Sequence, residues 1–112
     1  MAKDDYFVVV YKILMYMYKC LKSGKYPDTY NILNAESYCI NEEYFKRILE
    51  EMYVNGYIRG LKASYAMSGE LYVFFENDFK ISEKGILFLE ENNTMEKAYK
   101  AIKKAMDIVP GV

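Results

Sequence analysis

Adjacent carboxylates at Glu42-Glu43, Glu50-Glu51 and Glu90-Glu91, thiols at Cys20 and Cys39, and lysines at helical spacing are the side chains here with chemistry to offer. General acid–base work needs carboxylates that converge on one point, whereas neighbours along a helix point in different directions around its axis. The acidic pairs therefore read as solvated helix faces. There is no histidine among the 112 residues, which removes Ser-His-Asp and Cys-His nucleophile systems and every His-ligated metal site. Cys20 and Cys39 fit no CxxC or zinc spacing. They read as small buried hydrophobes in a reducing compartment, with one disulfide as the alternative. The glycines are scattered singly, so no phosphate-cradling loop occurs. The expectation is a protein that is not an enzyme and has no metal, cofactor or small-molecule ligand.

Nucleic-acid contact is the chemistry that remains. If the segment Asn41–Asn55 entered a major groove, Asn41, Lys46 and Arg47 would reach bases and phosphates, with Lys62 supporting them from the following strand. Arg47 is the one guanidinium in that segment able to read a guanine edge with two hydrogen bonds. Glu42, Glu43, Glu50 and Glu51 oppose these cations, and the next segment adds only Arg59 and Lys62 before its tip. Each phosphate contact needs a cation, so weak, non-specific DNA binding is the most this surface predicts.

The elements that must position these residues follow from periodicity and punctuation. Hydrophobic residues make up 53% and charged residues 28%, with a net charge of -1, which describes one globular domain over residues 1–112 and no general basic field. Thirteen tyrosines and seven methionines without a tryptophan suit half-buried or partner-facing surfaces; an AT-rich coding sequence explains the same bias. A first helix is expected from about Asp5, its N-cap, to Ser23, closed by Gly24. It carries two apolar stripes: Phe7, Val10, Leu14, Met17, Tyr18 and Leu21, then Tyr6, Val9, Ile13, Tyr16 and Cys20. A short helix over Thr29–Ala35 would turn Tyr30 and Leu33 inward. Asn41 caps the next helix, with Phe45, Ile48, Leu49 and Met52 on one face and Asn55-Gly56 as its end. Tyr57–Ser64 and Leu71–Glu76 read as a hairpin turning at Ser68-Gly69, with a third short strand over Phe79–Ile81. Ser82 caps a helix over Glu83–Glu91, and Thr94 caps a last one to about Ile108. The expected core is Val10, Leu14, Phe45, Ile48, Leu49, Ile58, Phe74, Ile81 and Leu87.

Lys12 interrupts the N-terminal apolar run, and Asp4 and Asp5 stand where a signal peptide carries positive charge. No apolar run reaches the roughly 20 residues that span a bilayer. The expectation is a cytoplasmic protein without a membrane partner.

The order helix, short helix, capped helix, Asn-Gly, strand, turn, strand resembles a winged helix. Ile81-Ser82-Glu83-Lys84-Gly85, then Phe88-Leu89-Glu90-Glu91-Asn92, then a lysine-bearing stretch with Tyr99, Lys100 and Lys103, then Val109-Pro110-Gly111, resembles the YjcQ-like family of small bacterial and phage proteins. The resemblance covers residues 56–112 closely and residues 1–55 by helix order alone. Ser82, Phe88 and Asn93 stand where the family pattern has Thr, Tyr and Ser. It implies an α+β, winged helix-turn-helix-like domain with a three-stranded wing sheet and extra C-terminal helices. It also implies a frequent prophage origin and an association with phage heads, and it brings no catalytic residues. Two functions follow as expectations: a protein-interaction module of bacterial or prophage origin, favoured by the acidic segment Asn41–Asn55, or a DNA-binding transcriptional regulator, favoured by the fold's usual employment. The doubly apolar first helix and the Met/Tyr-rich last helix suggest a homodimer, and a last helix folded over the first within one chain is the alternative.

Overall fold

The computed structural model of the chain describes residues 2–92, with side chains from residue 6 onward. The expected helix from Thr94 to Ile108 lies outside the described residues.

Helix α1 runs Ala2–Ser23. It starts before Asp5, which therefore lies within the helix and is not its cap. Gly24 ends it with φ +69°, while Lys25 N–H donates to Cys20 O (2.9 Å) and Gly24 N–H to Leu21 O (3.2 Å). These two bonds satisfy carbonyls that a helix end leaves open. Val9, Val10, Ile13, Leu14, Met17 and Cys20 are all buried, so the middle of each apolar stripe is covered within the chain. Tyr11, on neither stripe, is buried as well, while Phe7 and Leu21 at the two ends are exposed.

No helix forms over Thr29–Ala35. Asp28 accepts from the N–H groups of Tyr30 (3.0 Å) and Asn31 (2.8 Å), and Asn34 accepts from Ser37 N–H (2.7 Å). Short polar side chains take the backbone donors that a helix would have used. One 3₁₀ turn, Glu36–Tyr38, follows. Leu33 is buried as expected, but Tyr30 is 82% exposed. Cys39 is exposed and Cys20 buried, and both are free thiols, so only one matches the expected buried pair.

Helix α2 spans Glu42–Val54. The Asn41 side chain accepts from Glu43 N–H (2.8 Å) and Tyr44 N–H (3.2 Å), and Phe45, Ile48, Leu49 and Met52 form the buried face. Strands β1 (Ile58–Tyr65) and β2 (Leu71–Ile81) pair antiparallel in a two-stranded sheet. Phe79–Ile81 is the end of β2 and not a third strand. Asn77-Asp78, which reads as a break, is carried through as an irregular stretch where the register moves from Leu61↔Phe75 to Arg59↔Lys80. Gly60, at φ +78°, permits that bulge because the backbone of Phe79 occupies the space of its missing Cβ.

Helix α3, Glu83–Glu91, begins at Ser82, whose Oγ accepts from Gly85 N–H (3.1 Å) and donates to Gly56 O. Gly85 is required there: a Cβ would collide with Tyr57 O and the Ile81 side chain. One glycine thus lets α3 sit against the junction of α2 and β1. Of the expected core, Val10, Leu14, Phe45, Ile48, Leu49, Ile58 and Ile81 are buried. Phe74 (56% exposed) and Leu87 (49% exposed) are not. Phe74 pairs with Lys62, on the face opposite the Leu61–Phe75 pair, and α3 turns Gly85 and Leu89 inward instead of Leu87.

Candidate functional site

The side chains singled out for nucleic-acid contact lie on α2 and on the hairpin. Asn41 caps α2, so its amide oxygen is engaged by the backbone. Arg47 lies one turn beyond Glu43 and pairs with it at 3.6 Å. Lys46 is half-buried and points toward the hairpin, with Nζ 5.7 Å from the centre of the Tyr72 ring. Lys62 is exposed on the outer face of the hairpin, opposite Phe74 in the ladder. The structure therefore separates the four. Lys46 reaches the hairpin, Arg47 stands beside Glu43 on its own helix, Asn41 serves the helix start, and Lys62 faces outward.

Two contacts seat the hairpin on α2. Tyr65 Oη donates to Glu50 Oε1 at 2.6 Å, and Lys46 stands over Tyr72. The hydrogen bond to the Glu50 carboxylate raises the Tyr65 pKa, because the phenol proton is held by an anion. Tyr72 Oη likewise donates to Glu70 (3.2 Å), which raises the Tyr72 pKa. Val73 and Phe75 are half-buried toward α2, where they line a small apolar groove with Leu33, Phe45 and Leu49.

Sequence reasoning missed two things here. The first is the ladder pairing of Arg59 with Lys80, which sets two exposed cations side by side. The second is the exposed apolar surface of the hairpin. Tyr65, Met67, Tyr72 and Phe74 are all exposed around one hairpin. The run Leu71-Tyr72-Val73-Phe74-Phe75 has no polar residue to mark its outward side, so its alternation was invisible.

Among the described residues, no group of three or more His, Cys, Asp or Glu side chains stands close enough to hold a metal ion. No helix among them is long and apolar enough to cross a membrane. Among the described residues, the fold and this surface define a small α+β domain of three α-helices and one antiparallel hairpin, with an acidic helix face beside the hairpin. Residues 11–108 match the family model described as YjcQ protein, and the chain belongs to that family. No curated protein and no solved structure matches the chain.

Proposed function

We propose that this protein is a non-enzymatic protein-interaction module with a winged-helix-like plan, working in the cytoplasm of a bacterium or as part of a prophage programme such as phage assembly. The state of the α2 surface carries the reading: Glu42, Glu43, Glu50 and Glu51 surround Lys46 and Arg47, and Arg47 is already paired with Glu43. A phosphate approaching this face meets more acid than base. Beside it, the hairpin exposes Tyr65, Met67, Tyr72 and Phe74, the residue types that anchor protein interfaces.

A DNA-binding regulator is the second reading. Arg59, Lys62 and Lys80 favour it, being exposed and having no carboxylate partner among the described residues. In that reading Arg47 reads a base, and Lys62 holds a phosphate. Fluorescence anisotropy against random and self-genomic duplexes at about 150 mM salt separates the two. The interaction module shows weak binding without sequence preference. Nanomolar, sequence-selective binding that Arg47→Ala relaxes and Lys62→Ala weakens uniformly establishes the regulator.

A further inference from the structure

The outer face of the hairpin carries a pattern that simple alternation does not produce. Arg59 lies opposite Lys80 in the ladder, Lys62 opposite Phe74, and Ser64 opposite Tyr72, and all of these residues are exposed. Arg59 and Lys62 are three residues apart, an odd interval that puts side chains on opposite faces of a regular strand. The register shift between Arg59 and Leu61 reverses that parity. Ile58 before it and Leu61 after it are both buried, so Arg59 and Lys62 both point out. The Gly60 bulge, which admits the backbone of Phe79, thus gathers Arg59, Lys62, Lys80, Tyr72 and Phe74 on one face.

None of the three cations has a carboxylate partner among the described residues. Phe74 is 56% exposed and Tyr72 42% exposed, with Lys46 over the Tyr72 ring. The two rings follow each other along β2 at roughly 7 Å, twice the rise of a strand, and Lys62 stands beside Phe74 at about 5 Å between Cβ atoms. Two acids oppose the cations here: Glu70 accepts from the Tyr72 hydroxyl, and alternation places Glu76 on the same face as Phe74.

The mixture of cations and rings selects the ligand. A wholly apolar partner would leave three cations without counter-charges. A duplex keeps its base faces inside its own stack, so it can use the cations but not the rings. An unpaired strand offers both a charged backbone and open base faces.

We propose that the outer face of the hairpin binds single-stranded nucleic acid, with Phe74 and Tyr72 stacking successive bases and Arg59, Lys62 and Lys80 holding phosphates. Such a site goes beyond both readings above. It leaves the acidic α2 face and Met67, at the hairpin tip, to a protein partner, and it needs no duplex groove. Stacking on a ring is tolerant of sequence because every base has a π-face. With two rings and about three phosphate contacts the site is short, and binding is micromolar at low salt.

Fluorescence anisotropy on the full chain tests this, with labelled oligo(dT) and oligo(U) of about twelve nucleotides and a mixed-sequence duplex of equal length at ~50 mM salt. The expected result is micromolar binding of a single strand, at least about tenfold tighter than the duplex, with a log–log salt slope near ~2 in magnitude. The tighter of the two oligonucleotides identifies the strand as DNA or RNA. Phe74→Ala should weaken single-strand binding about fivefold or more and leave the duplex unchanged. Lys62→Ala should weaken both and lower the single-strand slope by about 0.7. Glu76→Gln should tighten both, and Phe7→Ala, at an exposed ring on α1, should change neither. All four substitutions fall outside the buried core, so the variants fold. In NMR, the Phe74 ring protons should move upfield as oligonucleotide is added. A duplex bound as tightly as either single strand overturns the site. So does a Phe74→Ala variant with unchanged affinity for both oligonucleotides, an outcome that assigns the ring to a protein partner.

Discussion

Single residues divide sharply here into those the fold rests on and those it only displays. Ile48 is buried at the centre of the α2 face, so Ile48→Ala should cost about 2–5 kcal/mol in urea unfolding. The two phenylalanines of β2 give a stricter check of parity. Phe79→Ala should cost about 3–5 kcal/mol as a core truncation, whereas Phe74→Ala should stay within about 1 kcal/mol. Gly85→Ala should destabilise by roughly 1–3 kcal/mol, because the added methyl meets the Tyr57 carbonyl and not a yielding side-chain tip. Asp28 gives the pH prediction. Hydrogen bonds from the Asn31 and Tyr30 N–H groups, with help from the Asn31 side chain, hold its carboxyl below the ordinary aspartate value. A depressed folded-state pKa contributes stability that is fully present above the unfolded value and lost as pH falls through the folded one. Carboxyl-detected NMR should show Asp28 titrating below ordinary aspartate, and Asp28→Asn should remove its share of the acid dependence of unfolding.

At the scale of elements, capping chemistry and close approach decide how the pieces meet. Asn41 and Ser82 cap their helices as their types and positions predict. Ser82 does more, since its hydroxyl also donates to Gly56 O, and its N–H donates to Tyr57 O (2.9 Å). One residue thus ends β2, starts α3 and ties both to the end of α2. The hairpin is held to α2 near its tip by Tyr65 and Glu50. Tyr65→Phe and Glu50→Gln should each lower the urea midpoint only slightly at this exposed position, and a double-mutant cycle should return a small favourable coupling. A coupling of zero would mean that the Tyr72 ring under Lys46 and the apolar groove seat the hairpin without it.

At the scale of the whole molecule, charge and apolar surface are distributed unevenly, and this decides what can bind where. Acid gathers on α2 around Arg47, while Arg59, Lys62 and Lys80 lie on the hairpin. Among the described residues, the hairpin is therefore where DNA affinity should arise. Charge reversal at Glu50 and Glu51 should raise duplex affinity, because it removes repulsion from the one helix face suited to a groove. A salt titration of the wild type should give a slope of no more than about 3, one per exposed hairpin cation. A steeper slope would show that cations beyond the hairpin contact phosphates as well.

The sequence alone determined the local features: α2 and α3 with their caps, the Gly24 and Gly56 stops, the hairpin turn and most of the buried positions. Each rests on signals within a few residues of one another, where side-chain type and backbone geometry are directly coupled. Tertiary structure decided the rest. Tyr30 points outward because Asp28 and Asn34 organise turns in place of a helix. Phe74 is exposed because a run of five apolar residues carries no record of which side faces the core. Strand β2 continues through Asn77-Asp78 because Gly60, far from it along the chain, admits the backbone of Phe79. The candidate cations were legible by type, but their fates were not. Whether a lysine or arginine is free to meet a ligand depends on what stands beside it in space: Glu43 lies one helical turn from Arg47, but only the assembled fold brings Tyr72 beneath Lys46 and Lys80 beside Arg59.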